Sequence, residues 1–472
     1  MTTNKINIPI KVEIYDELSE WEVNTGADNK ITARRMKGKF RKLKWLGMSV
    51  WLIYFLVPYI RWNGHQAILF DIPNQQFTLF EFTLYPQDIW MLSLTLLFFA
   101  ILLAAVTSIA GRVFCGYFCF QTVWTDVFTF IEGKFEGDTP QKAYKFKQSP
   151  WSFSKVSRTF IKHVIWLSIS FLTGLTFVAW FMDVFEVWKN VLNLTAPSPV
   201  WITLSIFGFF TYWFAGYMRE QVCFWLCPYA RLQGVMYDQD TLLPAYDAER
   251  GEPRGKLTRN TEISQQGGCI DCNVCVAVCP TGIDIRKGQQ EGCITCGLCI
   301  DACDTIMDKI EQPRGLIRYA SFKELHHNIA SVSLFLRPRF MMYSLIMITS
   351  IFGIIYGFSH LSPTEFSVIH ERQPLYVQLS DGSIQNKYIL KLLNKTKTPM
   401  QVQYQLTGIA KATLIGNDKI LTINPGKTIP ITLLVKVAES DLHSGLHNFN
   451  FVATIVNHNN LKIQYESVFI SP

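Results

Sequence analysis

Five apolar runs constrain this chain more than any other feature. They cover residues 45–60, 89–110, 164–185, 200–218 and 341–358 of 472. A bilayer crossing needs about 20 mostly apolar residues. The first run is short, but its flanks Leu43 and Trp62 extend it. Charged residues make up only 17% of the chain, against about 25% in an ordinary soluble domain. A disordered, fibrous or simple soluble protein is excluded, and five membrane spans joined by polar segments are expected.

Basic residues orient spans by staying on the inner side. Arg34, Arg35, Lys37, Lys39, Arg41, Lys42 and Lys44 precede the first run. Arg61 is the one basic residue of 61–88, whereas 111–163 holds eight; Lys189 is alone in 186–199, whereas 219–339 holds fourteen. All five spans agree on one topology. The N-terminus and the 111–163 and 219–339 segments are expected inside, and the tail beyond 360 outside. The net charge of +7 is then largely topogenic, and nucleic acid is not an expected partner. Residues 1–30 are polar, with no signal-peptide core.

The twelve cysteines fall in four groups. Eight form two runs: Cys269-x2-Cys272-x2-Cys275-x3-Cys279-Pro280 and Cys293-x2-Cys296-x2-Cys299-x3-Cys303. This is the spacing of bacterial two-cluster ferredoxins, in which the fourth cysteine of each run serves the other cluster. The expected sets are Cys269, Cys272, Cys275 and Cys303 on one [4Fe–4S] cluster, and Cys293, Cys296, Cys299 and Cys279 on the other. Structural zinc uses paired C-x2-C knuckles with a longer gap, and two three-cysteine runs fit it less well. In the second run Asp304 stands where Pro280 stands in the first.

The other four cysteines form two C-x3-C pairs, Cys115/Cys119 and Cys223/Cys227, each following an apolar run and a basic residue (Arg112, Arg219). An i, i+4 spacing predicts that each pair shares one helical face. Three readings stand: a four-thiolate metal site for copper(I) or a third cluster, a thiol redox relay, or buried small apolar residues. A metal or redox role beside a ferredoxin module is preferred.

Other candidates are weaker. His163 begins the third run, and no second histidine lies deep in any run, which disfavours a bis-histidine haem. His443 and His447, spaced H-x3-H in the outer domain, offer a copper contact but read better as solvated loop residues. Asp126, Glu132 and Asp183 near span ends offer a proton relay but read better as ordinary interfacial acids. The tail reads as short strands over 375–379, 388–393, 401–406, 431–437 and 449–456, with turns at Asp381-Gly382, Gly416-Asn417 and Pro425-Gly426. It is expected to form a cysteine-free β-sandwich.

The fold class expected is thus a five-span α-helical membrane bundle with a cytoplasmic two-cluster ferredoxin insert and a C-terminal immunoglobulin-like β-sandwich. The expected divisions are 1–44, a four-span domain 45–235, the ferredoxin domain 236–335, the fifth span 338–360 and the outer domain 361–472.

The segments Gly251-Glu252-Pro253-Arg254-Gly255, Cys279-Pro280-Thr281-Gly282-Ile283-Asp284-Ile285-Arg286, Cys299-Ile300-Asp301-Ala302-Cys303-Asp304 and Gly315-Leu316-Ile317-Arg318-Tyr319 are highly particular. So are Cys115-Gly116-Tyr117-Phe118-Cys119 and Cys227-Pro228-Tyr229-Ala230-Arg231-Leu232-Gln233. Together they resemble the cytochrome c oxidase accessory proteins of the CcoG/FixG/RdxA type, over nearly the whole chain. The resemblance implies a bacterial inner-membrane polyferredoxin that supports assembly of the cbb-type oxidase by reducing Cu(II) to Cu(I). It implies copper-handling and oxidase-assembly partners, a cytoplasmic electron donor, and a functional role for Cys115, Cys119, Cys223 and Cys227. Asp304 belongs to the family pattern. Phe120 departs from it, standing where the family carries proline. The rival readings are a quinol dehydrogenase feeding a periplasmic reductase, and a non-catalytic redox-sensing scaffold. A cation pump would want paired intramembrane carboxylates.

Overall fold

The computed structural model describes residues 33–138, 140–255, 267–290, 292–327, 336–362, 364–371, 373–396, 398–409, 411–416, 420–438, 445–456 and 461–471. The chain forms two compact units, Met1–Tyr59 with Leu97–Thr349, and Ile60–Leu96 with Ser350–Pro472.

Among the described residues, four helices are long and apolar enough to cross a membrane: Ile89–Ala110, Phe153–Ala179, Ser198–Met218 and Pro338–Ser359. The second, fourth and fifth expected runs match these helices closely. The first does not form one long helix. Lys39–Ser49 and Trp51–Leu56 are separate helices, joined at Val50, and a 3-10 turn begins at Val57 beside Pro58. The 164–185 run is shifted: its helix starts at Phe153 and ends at Ala179. The amphipathic stretch Phe153–His163 extends the helix backward. Asp183 ends the run at its other end by capping a new helix, Val184–Leu192, through the Phe185 and Glu186 amides at 3.0 and 3.4 Å. Asp183 is therefore a cap.

In the first unit the helix Phe120–Glu136 packs on Phe153–Ala179. Phe128 stacks on Trp166 at 5.1 Å, and both are fully buried. The buried indole N–H groups are satisfied: Trp166 donates to the Phe128 carbonyl at 3.2 Å, and Trp124 to the Thr173 hydroxyl at 3.0 Å. Helices Phe153–Ala179 and Ser198–Trp213 meet where Gly174 lies against the Leu204 backbone. A π-helical turn, Phe214–Met218, follows. The ferredoxin-type segment has a two-stranded ribbon, Leu243–Tyr246 paired antiparallel with Ile317–Ala320, and the helix Leu298–Lys309.

In the second unit the tail is a sandwich of a five-stranded and a four-stranded sheet. The first sheet orders Thr413–Ile415, Thr428–Ala438, Ser383–Asn394 and Thr364–His370, with Val377–Gln378 on the edge of Ser383–Asn394. The second orders Leu421–Ile423, Met400–Thr407, Gly445–Ile455 and Leu461–Ser471. Alternate residues turn inward, and Tyr388, Leu390, Leu392, Val402, Leu433, Phe451 and Phe469 form a cysteine-free core. The expected 375–379 strand shrinks to two residues. His447 sits in a strand opposite Phe469, not in a loop, and His443 and Asn417 lie outside the described residues. A small sheet of Ile68–Asp71, Gln76–Leu79 and Phe82–Leu84 has no counterpart in the expectations. Gly353 and Gly357, four apart on Pro338–Ser359, admit Leu94 and Trp90, the close approach that small residues permit between membrane helices.

Phe451 is completely buried. A Phe451→Ala change is expected to destabilise the sandwich by about 3–5 kcal/mol, read as a lowered Tm of the second unit.

Candidate metal centre

The two ferredoxin-type loops are built alike. Asp271 and Asn273 have φ of 49° and 56°; Thr295 and Gly297, at the matching positions, have 48° and 70°. Left-handed residues between helical ones turn successive amides inward, a concavity suited to anionic clusters. Gly297 meets two demands, since a Cβ there would also lie 2.7 Å from the Phe40 ring. Arg286 clamps the first loop, donating to Asp271 at 2.6 Å and Asn273 at 2.5 Å while pairing with Asp284 at 2.7 Å. The bond to Asp284 above all, with the Asp284 and Asp271 charges, holds it protonated well above the usual guanidinium range.

The loops exchange their fourth cysteines. Cys269, Cys272, Cys275 and Cys303 line one cavity. Cys279 is in electrostatic reach of Cys293, Cys296 and Cys299. Cys299 and Cys303 lie one turn apart on Leu298–Lys309, so one helix supplies a thiol to each set. Asp304 continues that helix and accepts from the Gly315 amide at 3.0 Å. The two runs thus end differently, since the short helix Val274–Ala277 stops before Cys279-Pro280.

The donor set fits a cluster chemically. Burial pushes the Cys275 thiol up to about 11, and Cys293 and Cys303 to about 12. Buried thiols of this kind ionise when a metal supplies the compensating charge. Among the described residues, no three His, Cys, Asp or Glu side chains converge on a single-ion site. A cubane asks for something else, one thiolate on each iron.

The four C-x3-C thiols lie in one neighbourhood, drawn from two places in the chain, without closing on a single-ion geometry. Cys115 lies within electrostatic reach of Cys119, Cys223 and Cys227. The expected shared helical face is not found. Cys115 sits in Val113–Tyr117, but Cys119 breaks the helix (ψ 129°) and caps Phe120–Glu136. Cys223 lies in the π-helical turn Val222–Leu226, and Cys227 (ψ 107°) caps Pro228–Met236. Each second cysteine thus stands at an extended residue before a helix N-terminus. Phe120 reaches the first helical position, as Pro228 does in the other pair. Its ring stacks on Trp124 at 5.0 Å and meets Trp51 at 5.4 Å, so packing fixes what proline would fix through φ.

Burial pushes Cys115 and Cys223 up to about 12, and the Arg112 charge opposes this for both. Cys115 Sγ donates to Gln233 Oε1 at 3.2 Å. Arg112 is buried, donates to the Ala230 carbonyl, and also acts on Cys293. It stands electrostatically between the thiol site and the second loop. In the sequence Arg112 is only the basic residue before the first C-x3-C pair; its role depends on contacts more than a hundred residues away.

The thiol site and the second loop touch. Tyr117 donates to the Cys296 carbonyl at 2.9 Å, and Cys115 and Cys296 share one apolar cluster with Val278, Ile294, Leu298 and Ala302. A Cβ on Gly116 would lie 2.6 Å from the Ile294 carbonyl and 3.2 Å from Cys296 Cα. Of the remaining candidates, His163 lies inside its helix, 2.9 Å from the Tyr212 hydroxyl. Asp126 faces three cations, and Glu132 pairs with Arg219.

An Arg286→Gln variant is expected to loosen the first loop selectively, losing about half the bound iron under air while the second set is kept. Iron analysis with EPR reads this; equal loss from both sets contradicts it.

Comparison with known proteins agrees with this architecture. Residues 218–322 match a 4Fe-4S dicluster domain, 92–136 a 4Fe-4S binding domain, and 354–472 the IG-like fold at the C-terminal of FixG. The nitrogen fixation protein FixG of Rhizobium meliloti is 36% identical, over 90% of this chain and 89% of its own. Protein RdxA of Cereibacter sphaeroides is 39% identical, over 80% of this chain and 82% of its own. The crystal structure of a FixG-related protein from Vibrio parahaemolyticus covers 24% of this chain and 98% of its own, with 26% identity and a TM-score of 0.21. A membrane protein with ferredoxin-type loops, an Ig-like tail and these relatives belongs to the FixG/RdxA family of iron–sulfur proteins.

Proposed function

We propose that the chain is a membrane oxidoreductase that carries electrons through two [4Fe–4S] clusters to the four-thiol site and there reduces Cu(II) to Cu(I). Cys269, Cys272, Cys275 and Cys303 hold one cluster, and Cys293, Cys296, Cys299 and Cys279 the other. When bound, the clusters supply one-electron carriers. Cys115, Cys119, Cys223 and Cys227 receive copper, whose reduced form favours soft thiolates. The observation that carries this reading is the direct contact of Gly116 and Tyr117 with Ile294–Cys296. It makes the second loop the neighbour of the thiol site.

The chain's own residues do the rest. Arg112 offsets negative charge at both centres, Gln233 orients Cys115, and the apolar cluster around Cys115 and Cys296 keeps water from the path. By the distribution of basic residues, the loops and thiols face the cytoplasm and the Ig-like unit the periplasm. The product then serves assembly of the cbb-type oxidase, with a cytoplasmic donor and copper-handling partners.

The test is stoichiometric. Anaerobically reduced protein, freed of excess reductant, is mixed with Cu(II) and a Cu(I)-specific chromophore. One Cu(I) is expected for each electron lost from the iron–sulfur absorbance. Reoxidation by a quinone but not by copper would sink the reading in favour of a quinol-linked carrier.

A further inference from the structure

The first unit contains a cavity of about 630 Å³. Cys223 lies at its lining, and Val278, Pro280 and Ile294, neighbours of Cys279 and Cys293, form part of its wall. It therefore adjoins both the thiol site and the second loop.

Its lining holds nine lysines and arginines against six acids. Four of the acids are paired with cations, and Asp301 accepts from the Arg41 amide at 3.0 Å. Asp126 alone faces Arg35 at 2.8 Å, Arg41 at 3.3 Å and Lys44 at 3.5 Å. Burial opposes charge on Asp126, yet Lys44, Arg35 and Arg41 hold its carboxyl below the usual range. Glu132 pairs with Arg219, Glu136 with Lys162 at 2.5 Å, and Asp138 with Lys142 at 2.7 Å. Lys44 and Arg219 are only 1% and 2% exposed. Among the described residues, Arg34, Lys147 and Arg158 line the same cavity with no carboxylate within 4.0 Å. Those three are exposed and screened by water, but Arg35, Arg41 and Lys44, largely buried around the single carboxylate of Asp126, leave positive charge with little solvent to screen it, and such charge calls for an anion.

We propose that this cavity admits the copper substrate, and that it selects Cu(II) carried as a small anionic chelate over the hydrated cation. The proposal rests on the cupric-reductase reading and names the form of its substrate. The lining repels free Cu(II), whereas a chelate with carboxylate or thiolate ligands in charge excess is drawn in beside Cys223. The step moves one electron: Cu(II) gains it and becomes Cu(I), the reduced protein loses it, and the freed chelator leaves with its own charge.

The test uses the reduced full-length protein with two Cu(II) complexes, the anionic nitrilotriacetate and the neutral bis-histidine. Reoxidation rates are compared as ratios of wild type to an Arg35→Gln/Arg158→Gln variant, so the intrinsic reactivity of each chelate cancels. The ratio is expected to be larger for the anionic complex by on the order of tenfold, and to shrink with salt. If the double variant loses its clusters, Arg158→Gln alone, at an exposed position, is expected to show the same preference at reduced size. Equal ratios overturn the proposal while leaving copper reduction intact. Failure of wild type to reduce either complex overturns the parent reading.

A second readout needs no turnover. Redox-inert gallium(III) citrate is titrated calorimetrically into the oxidised protein in zwitterionic and in anionic bilayers. Binding weakened by on the order of tenfold in the variant is expected. Absence of binding, or binding abolished by anionic lipid, overturns the proposal, the latter by assigning the cavity to lipid headgroups.

Discussion

A Cys227→Ser variant is expected to keep its iron–sulfur content and lose copper reduction by on the order of 100-fold or more. Serine preserves the size of the side chain and the break at residue 227, where the chain passes from a π-helical turn into Pro228–Met236. What changes is the ligand. A hydroxyl oxygen is a poor partner for Cu(I), which thiolates favour. None of the eight ferredoxin-type cysteines is touched, so about eight iron and eight sulfide per chain should be found in both proteins. Cys119→Ser should behave the same way, because Cys119 occupies the matching extended position before Phe120–Glu136. Normal copper reduction by either variant would remove the thiol site from the path. Iron analysis of a Cys115→Ser/Cys223→Ser double variant separates the remaining alternative. About twelve iron falling to eight would mean that these thiols hold a third cluster.

A Gly116→Val variant should separate the two halves of the path while leaving each in place. Any Cβ at 116 would press on the Ile294 carbonyl at 2.6 Å and the Cys296 backbone at 3.2 Å. Those contacts are with backbone, which cannot swing aside, so the thiol loop or the second loop must shift. Misplacement on the scale of 1 Å can cost about 100-fold in a step that depends on position. Copper reduction is therefore expected to fall steeply with cluster spectra retained, and Gly116→Ala should fall less. Tyr117→Phe, which removes only the bond to the Cys296 carbonyl, isolates the hydrogen bond from the packing. Unchanged electron transfer in Gly116→Val would mean that the path does not cross this contact.

Much of this was legible because it rests on local chemistry. Ferredoxin spacing is a covalent constraint: three thiols two residues apart close a loop whatever surrounds it. The run at Ile89–Ala110 read as a helix to the residue because nothing tertiary interrupts it. Where neighbours decide, reading along the chain failed. The 45–60 run reads as one continuous apolar stretch, yet the chain divides it between Lys39–Ser49, whose Lys44 is buried against Asp126, and Trp51–Leu56. The C-x3-C spacing suggested a helical face, but both second cysteines stand at helix starts, a backbone choice the i, i+4 count cannot reveal. Edge strands such as Thr413–Ile415 carry too few alternating residues to stand out.

By itself the sequence determined the cysteine spacing, the apolar runs and the charge asymmetry, because each depends only on residues close in the chain. Tertiary structure alone decided which loop meets the thiol site, where Arg112 puts its charge, and that a basic cavity opens beside Cys223. Those depend on groups more than a hundred residues apart, and their free energy exists only once the intervening helices have packed.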